Sequence, residues 1–186
     1  MDKVGYMGVP GSFSEMAAER IVEKAGLKDV ELIPLVCSKN ILEALQEGSI
    51  SYGLLGVDNS SVGPVMEFVE TFTGIDYTVL EEYILPIHHC LFKKHGASFE
   101  NLTTVASHTH ALRQTEHTRS ERYPQLKEEE IEDTAIGAEW LSKGELPDTT
   151  AVVCSMNGGK LWGLDLIEEN IEDRSDNRTT FWLLKL

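Results

Sequence analysis

The sequence of 186 residues predicts an α/β protein built as two lobes with a cleft between them. Three observations carry this reading. Short apolar strands alternate with stretches of helical periodicity along the whole chain. The alternation occurs on both sides of one long extended stretch, YTVLEEYILPIHHCLFKK, which is broken by Pro86. Polar loops follow several of the strands, the place where α/β proteins build their sites. Apolar residues make up 41% of the chain, enough for a core in a domain of this length or in two small lobes.

The elements follow in order. KVGYMG is a short apolar strand. SFSEMAAERIVEKAG places Phe13, Met16, Ala17, Ile21 and Val22 at helical spacing and stops at Gly26. VELIPLV reads as a strand, and Pro34 puts it at a sheet edge. SKNILEALQEG reads as a helix with Ser38 as its N-cap and Gly48 as its stop. SYGLLGV is a third strand and PVMEFVETFTG a third helix. Beyond the long central stretch, TTVASH is a strand, HALRQTEHTRSERY a helix, EEIEDT a strand and AIGAEWLSKG a helix. TTAVVCS is a strand, MNGGKLWG a short helix or turn, LDLIEENIED extended, and TTFWLLKL the last strand.

Charge and composition exclude several function classes. The formal net charge is −15, so nucleic acid and anionic membranes are poor partners. A small anionic ligand requires a locally basic pocket, and the arginines available are Arg20, Arg113, Arg119, Arg122, Arg174 and Arg178. No apolar run approaches the roughly 18 residues of a membrane span. MDKVGYMGVP lacks the apolar region of a signal peptide, which points to a cytoplasmic protein. Cys37, Cys90 and Cys154 have no metal-ligand or redox spacing and read as core thiols of a reducing compartment.

Four loops hold the candidate chemistry. GVPGSFSEMAA sets Gly8 and Gly11 around Pro10, with Ser12 and Ser14 before a helix. Such a turn either offers N–H groups to a carboxylate or phosphate or is an ordinary glycine turn with a serine cap. VDNSSVGPV clusters Asp58, Asn59, Ser60 and Ser61 between a buried strand and a helix, as a polar site or as a helix cap with its flanks. ASHTHALRQTEH ends a strand at Ser107 and His108 and puts Arg113 and Gln114 on the next helix. Neighbours on a strand point to opposite faces, so Ser107 and His108 make a poor nucleophile–base couple, and His88 and His89 a poor metal pair. No metal site is expected. SDNRTTFWLLKL places an Asn, an Arg and two Thr at the entrance of an apolar strand, where Thr179 and Thr180 face opposite ways.

In order and spacing these loops resemble the catalytic domain of the prephenate dehydratase family over Lys3 to Leu186. GVPGSFSEMAA resembles its glycine-rich first loop, GVDNSSVGPV its Pro-x-Glu-Asn-Ser/Thr-x-x-Gly loop, and PIHHCLF its segment ending His-Cys-Leu. SHTHALRQT resembles its Ser-His-Pro-Gln-Ala-Leu-x-Gln segment, and NRTTF its Asn-x-Thr-Arg-Phe signature. The resemblance implies a fold like a type II periplasmic binding protein, with lobe I at 1–82 plus 168–186 and lobe II at 83–167. It implies decarboxylative dehydration of prephenate to phenylpyruvate without metal or organic cofactor, on a small dicarboxylate, in a homodimer or higher homo-oligomer. By motif position it implies Thr179, Asn59, Ser107, Gln114 and Glu132 as catalytic residues. Ser12, Gly11, Asp58, Ser60, Ser61, Arg178 and Phe181 are then the candidate substrate contacts.

The chain departs from the family pattern at several positions. Thr180 stands where the family has Arg, and Arg178, two residues earlier, is expected on the same strand face. Asp58 replaces the family's Glu, Thr109-His110 its Pro-Gln, and Val9 its Pro. The chain ends where the family's regulatory ACT domain begins. Three other readings stay open: a prephenate decarboxylase, whose kind lacks the signature Thr present here as Thr179; an arogenate dehydratase of identical chemistry; and a non-catalytic binding protein on the same scaffold.

Overall fold

The strand and helix ends are set by capping side chains and by glycines that take left-handed backbone. A computed structural model describes all 186 residues. In chain order they form β1 (Asp2–Tyr6), α1 (Phe13–Lys24), β2 (Val30–Pro34), α2 (Ser38–Glu47), β3 (Tyr52–Asn59), β4 (Gly63–Pro64), α3 (Met66–Phe72) and β5 (Thr78–Pro86). There follow β6 (Cys90–Lys93), β7 (Thr104–Ser107), α4 (Thr109–Gln114), α5 (Glu116–Arg122), β8 (Lys127–Glu130), α6 (Thr134–Lys143), β9 (Thr150–Cys154), α7 (Met156–Leu161) and β10 (Asp165–Glu168). The chain closes with β11 (Arg178–Lys185).

Two compact units result: Met1–Ile87 with Asp176–Leu186, and His88–Ser175. The crossings lie somewhat later than residues 82 and 168. β5 runs on to Pro86 in the first unit, and β10 pairs with β6 and so stays with the second.

The first unit has the sheet order β2-β1-β3-β11-β5, with β4 paired to β3. β1 runs parallel to β2 and β3, whereas β11 is antiparallel to β3 and β5. β2 is an edge strand, where Pro34 costs no interior ladder bond. α1 covers one face through Ala17, Ala18 and Ile21, packed with Val4, Leu54, Phe181 and Leu183. α2 and α3 cover the other through Ile41, Ala44, Phe68 and Phe72, packed with Leu55, Val57 and Leu184. Each large side chain buried this way contributes about 1.5–3 kcal/mol.

The second unit has the order β10-β6-β9-β7-β8, with β7 parallel to β8 and β9 and with β6 antiparallel to β9 and β10. α4 buries Ala111 and Leu112, and Tyr123 just after α5 joins them, with Val105, Ala151 and Val153. α6 buries Ala138 and Leu141 with Ala106, Val152 and Phe92. The edge strand β8 is exposed throughout and carries Glu128, Glu129 and Glu130, charges that oppose pairing with another chain. Cys90 and Cys154 face each other across β6 and β9 as free, buried thiols, and burial pushes both pKa values up.

Several elements differ from the expectation. Cys37, not Ser38, is the N-cap of α2 and makes no side-chain bond; the Ser38 N–H donates to the Glu67 carboxylate of α3 at 2.7 Å. The helix expected over HALRQTEHTRSERY is two helices, broken at Thr115, whose backbone leaves the helical region and whose hydroxyl donates to Ala111 O at 2.8 Å. The strand expected at EEIEDT lies earlier, since Asp133 instead caps α6 by accepting from the N–H groups of Ala135 and Ile136.

Gly159 of α7 sits against the Phe92 ring, and a Cβ there would meet ring atoms at 2.2 Å. Gly159→Ala gains about 1 kcal/mol of helix propensity. The overlap costs about 1–3 kcal/mol, and it dominates because the ring is buried. Thermal denaturation of this variant is expected to show a Tm several degrees below that of the parent; an unchanged or raised Tm would contradict the packing described.

Candidate active site

In both sheets the chain reverses direction of travel across the sheet beside a central strand. From β1 it passes through α1 to β2 and returns through α2 to β3, so β1 and β3 flank a switch point. β7 and β9 do the same in the second unit. Such points, at the C-terminal strand ends, leave open crevices for ligands. Each unit holds one polar cluster.

In the first unit, β11 lies beside β3 with Thr179 opposite Asn59 and Thr180 opposite Asp58. The register then shifts, and Phe181 pairs with Gly56, so Val57 is an extra residue in β3. This bulge decides which side chain meets Thr179. Leu54 packs on the α1 face, Leu55 and Val57 on the other. Strict alternation would therefore turn Asp58 toward the α1 face and Asn59 away. The extra residue reverses this, and Asn59 reaches Thr179. Thr179 shares its face with Phe181, since the Thr179 methyl and the Phe181 ring both lie over Gly56.

The hydrogen bonds at this point fix every donor. Asn59 Oδ1 accepts from the backbone N–H of Ser61 at 2.9 Å, so Nδ2 must face the other way. Nδ2 donates to Thr179 Oγ1 at 2.9 Å and to Asn177 Oδ1 at 3.0 Å, with Arg178 O a third acceptor at 3.2 Å. A hydroxyl that accepts in this way keeps its own hydrogen to donate elsewhere. Asn177 is 4% exposed, and its Oδ1 also accepts from Ser61 Oγ at 3.3 Å. Ser60 ties the strand ends together: its N–H donates to Arg178 O, its hydroxyl donates to Asp176 O, and it accepts from the Arg178 N–H. Arg178 and Asp58 are exposed.

Not every expected contact is presented. Phe181 is 3% exposed and belongs to the core. Thr180 lies on the face opposite Thr179, so the departure from the family's Arg leaves the Asn59–Thr179 pair intact. At the start of α1, Ser12 Oγ accepts from the Glu15 N–H at 3.3 Å, and the Glu15 carboxylate accepts from the Gly11 N–H at 2.7 Å and from the Tyr6 hydroxyl at 3.0 Å. An internal carboxylate thus takes a donor expected to serve a ligand, in a variant of the capping box. Burial and then the bond to Glu15 push the Tyr6 hydroxyl pKa well up.

In the second unit, Gln114 at the end of α4 meets His89, with Gln114 Oε1 2.7 Å from His89 Nε2. The amide oxygen accepts, so Nε2 carries the hydrogen and the Gln114 NH₂ is turned away from the ring. His89 is 3% exposed; its backbone N–H donates to Glu172 Oε2 at 2.9 Å, and Glu172 Oε1 lies 2.6 Å from His88 Nδ1. The two histidines therefore point to different surroundings. Burial holds His89 below the ordinary histidine range, against the opposing pull of Gln114 and Glu172. Ser107 is fully buried and donates to Val153 O at 2.7 Å, joining β7 to β9 instead of presenting a hydroxyl. Glu132 is exposed and, with His108, Thr109 and Trp140, lines a recess of about 480 Å³. No three His, Cys, Asp or Glu side chains come together in a way that could hold a metal ion. No helix is long and apolar enough to cross a membrane.

Sequence reasoning missed Asn177 and the pairing of His89 with Gln114. Asn177 stood in the signature but without a role, and His89 lies 25 residues from its partner.

The two α/β units have the fold of the type II periplasmic binding proteins. A methionine-bound nutrient-binding protein from Burkholderia cenocepacia matches with a TM-score of 0.54 and 14% identity over 100% of this chain and 84% of that one. The prephenate dehydratase of Arthrobacter aurescens, solved with L-Phe, matches with a TM-score of 0.86 and 24% identity over 98% of this chain and 60% of that one. The prephenate dehydratase family model matches residues 4–186, and the chain belongs to that family. Prephenate dehydratase from Lactococcus lactis subsp. cremoris is 33% identical over 98% of this chain and 63% of its own length. Arogenate dehydratase 1 of Petunia hybrida is 34% identical over 98% and 42%. The chain thus spans less than two thirds of the length of these relatives.

The buried neutral His89 makes stability depend on pH. The unfolded histidine takes up a proton near pH 6.5, whereas the folded one resists it. The contribution is therefore full above about pH 6.5 and falls as pH drops toward the lower folded value. Thermal melts between about pH 7.5 and 5 are expected to show a shallower loss of Tm for His89→Gln than for the parent; parallel curves would contradict a depressed His89 pKa.

Proposed function

We propose that the chain catalyses the decarboxylative dehydration of prephenate to phenylpyruvate. The observation that carries this reading is the Thr179 hydroxyl, which accepts from Asn59 Nδ2 at 2.9 Å and so keeps its own hydrogen to donate. Prephenate is a dicarboxylate whose ring carries a hydroxyl. The C–CO₂ bond breaks, its electron pair enters the ring, and the C–O bond pair leaves with the hydroxyl. With one proton taken up, the products are phenylpyruvate, carbon dioxide and water. Aromaticity drives the loss of carbon dioxide, so the step that needs help is departure of the oxygen.

A hydrogen bond that strengthens as charge grows on that oxygen lowers the barrier, because it acts on the transition state more than on the ground state. Thr179 serves this role, and Asn59 fixes the direction of its hydrogen. The exposed guanidinium of Arg178 is a donor of the kind a substrate carboxylate requires. Glu132 supplies an exposed acid, and Ser107 supports its strand end. The enzyme works in the cytoplasm as a homo-oligomer and needs no metal or organic cofactor. The similarity to a petunia arogenate dehydratase favours one second reading, arogenate as substrate, with an amino group in place of the keto group and the same bond changes.

The test is to incubate the purified chain with prephenate and, separately, with arogenate, and to identify products by NMR. Phenylpyruvate formed from prephenate at the higher kcat/KM is expected. Faster formation of phenylalanine from arogenate would replace the substrate but keep the chemistry. A non-aromatic hydroxylated keto acid would make the chain a decarboxylase, and two unchanged substrates would overturn catalysis altogether.

A further inference from the structure

Asn177 touches no reacting group in the proposal above, yet it is the least exposed polar side chain of its cluster. Its Oδ1 lies 3.0 Å from Asn59 Nδ2 and 3.3 Å from Ser61 Oγ, and its backbone carbonyl accepts from the Ile87 N–H at 2.9 Å. The last bond pins the residue where β5 and β11 approach each other. Asn59 Nδ2 has two hydrogens, and one of them goes to Thr179. Without Asn177 the other would be left to the Arg178 carbonyl at 3.2 Å, the longest of the three contacts, with the Ser61 N–H holding the amide oxygen. The Asn177 oxygen supplies a shorter contact, at 3.0 Å, from a buried side chain. A buried hydrogen bond of this kind is rigid because its alternative is an unsatisfied donor.

We infer that Asn177 is a positioning residue for the reaction: it locks the Asn59 amide so that its second N–H points at Thr179 Oγ1 and holds the Thr179 hydrogen outward. This inference rests on the proposed dehydration, and in this role Asn177 acts on Thr179 through Asn59. Its contribution must therefore vanish when Asn59 is removed, which a residue with its own role in binding or folding would not show.

The experiment is a double-mutant cycle of Asn59→Ala, Asn177→Ala and the pair, assayed with prephenate, with Tm recorded for each variant. Asn177→Ala alone is expected to lower kcat about tenfold with KM within about twofold, the loss of one aligned hydrogen bond in the transition state. In the Asn59→Ala background the same change is expected to cost less than about twofold. A full further loss there, or an unchanged kcat in the single variant, would overturn the inference. The side-chain amide of Asn59, followed by ¹H–¹⁵N NMR and assigned by its absence in Asn59→Ala, gives a readout that needs no turnover. Two well-separated, slowly exchanging resonances are expected in the parent, and faster exchange in Asn177→Ala with the backbone spectrum retained. If the parent turns over neither prephenate nor arogenate, the proposed function fails while the amide still decides the geometry. An Asn59 amide unaffected by Asn177→Ala would overturn the lock.

Discussion

One extra residue in a strand determines the chemistry available in the first unit. Val57 interrupts the pairing of β3 with β11, and the parity of β3 reverses beyond it. Asn59 therefore shares a face with Thr179, and Asp58 takes the other face beside Thr180. The bulge lies in an interior ladder, since β11 holds β3 on one side and β5 on the other, and the β11–β5 pairing carries a register shift of its own at Leu183 and Leu184. The last strand of the chain thus brings the signature residues to the loop that follows the third strand, more than a hundred residues away in sequence.

Both units use the same device, a side-chain amide whose two ends are told apart by a buried partner. In the first, the Ser61 N–H and the Asn177 oxygen leave Asn59 one orientation. In the second, the neutral ring of His89 holds the oxygen of Gln114. An amide offers a donor and an acceptor of nearly equal shape, so an unlocked one would present either to a ligand. Locking it turns a polar residue into a donor of fixed direction, and electrostatic assistance in a transition state depends on such prior alignment. The cost is burial of polar atoms, offset by the hydrogen bonds that do the locking.

Much of this architecture was legible in the sequence, and particular residues show where legibility stopped. The alternation of strands and helices, the edge position implied by Pro34 and the glycine stop at Gly48 are local signals, and local signals survive folding. The motif order named Asn59 and Thr179, but only the strand pairing shows that they touch. The bulge at Val57 was hidden because alternation is counted along one strand, whereas a bulge is a relation between two; Gly56 was its only trace. The Glu15 carboxylate at Gly11 is a capping signature at the right spacing that an anion-binding reading of the loop passed over. His89 with Gln114, and Asn177 with Asn59, are tertiary contacts between positions that no periodicity links.

The most direct test of the role given to Thr179 is the rate of phenylpyruvate formation from prephenate by Thr179→Val and Thr179→Ser beside the parent. Valine keeps the shape and removes the hydroxyl; serine keeps the hydroxyl and removes the methyl. With Thr179 as donor to the leaving oxygen, kcat falls by about a hundredfold or more in Thr179→Val and stays within about tenfold of the parent in Thr179→Ser, with KM little changed in either. A Thr179→Val enzyme that turns over at the parental rate would contradict that role.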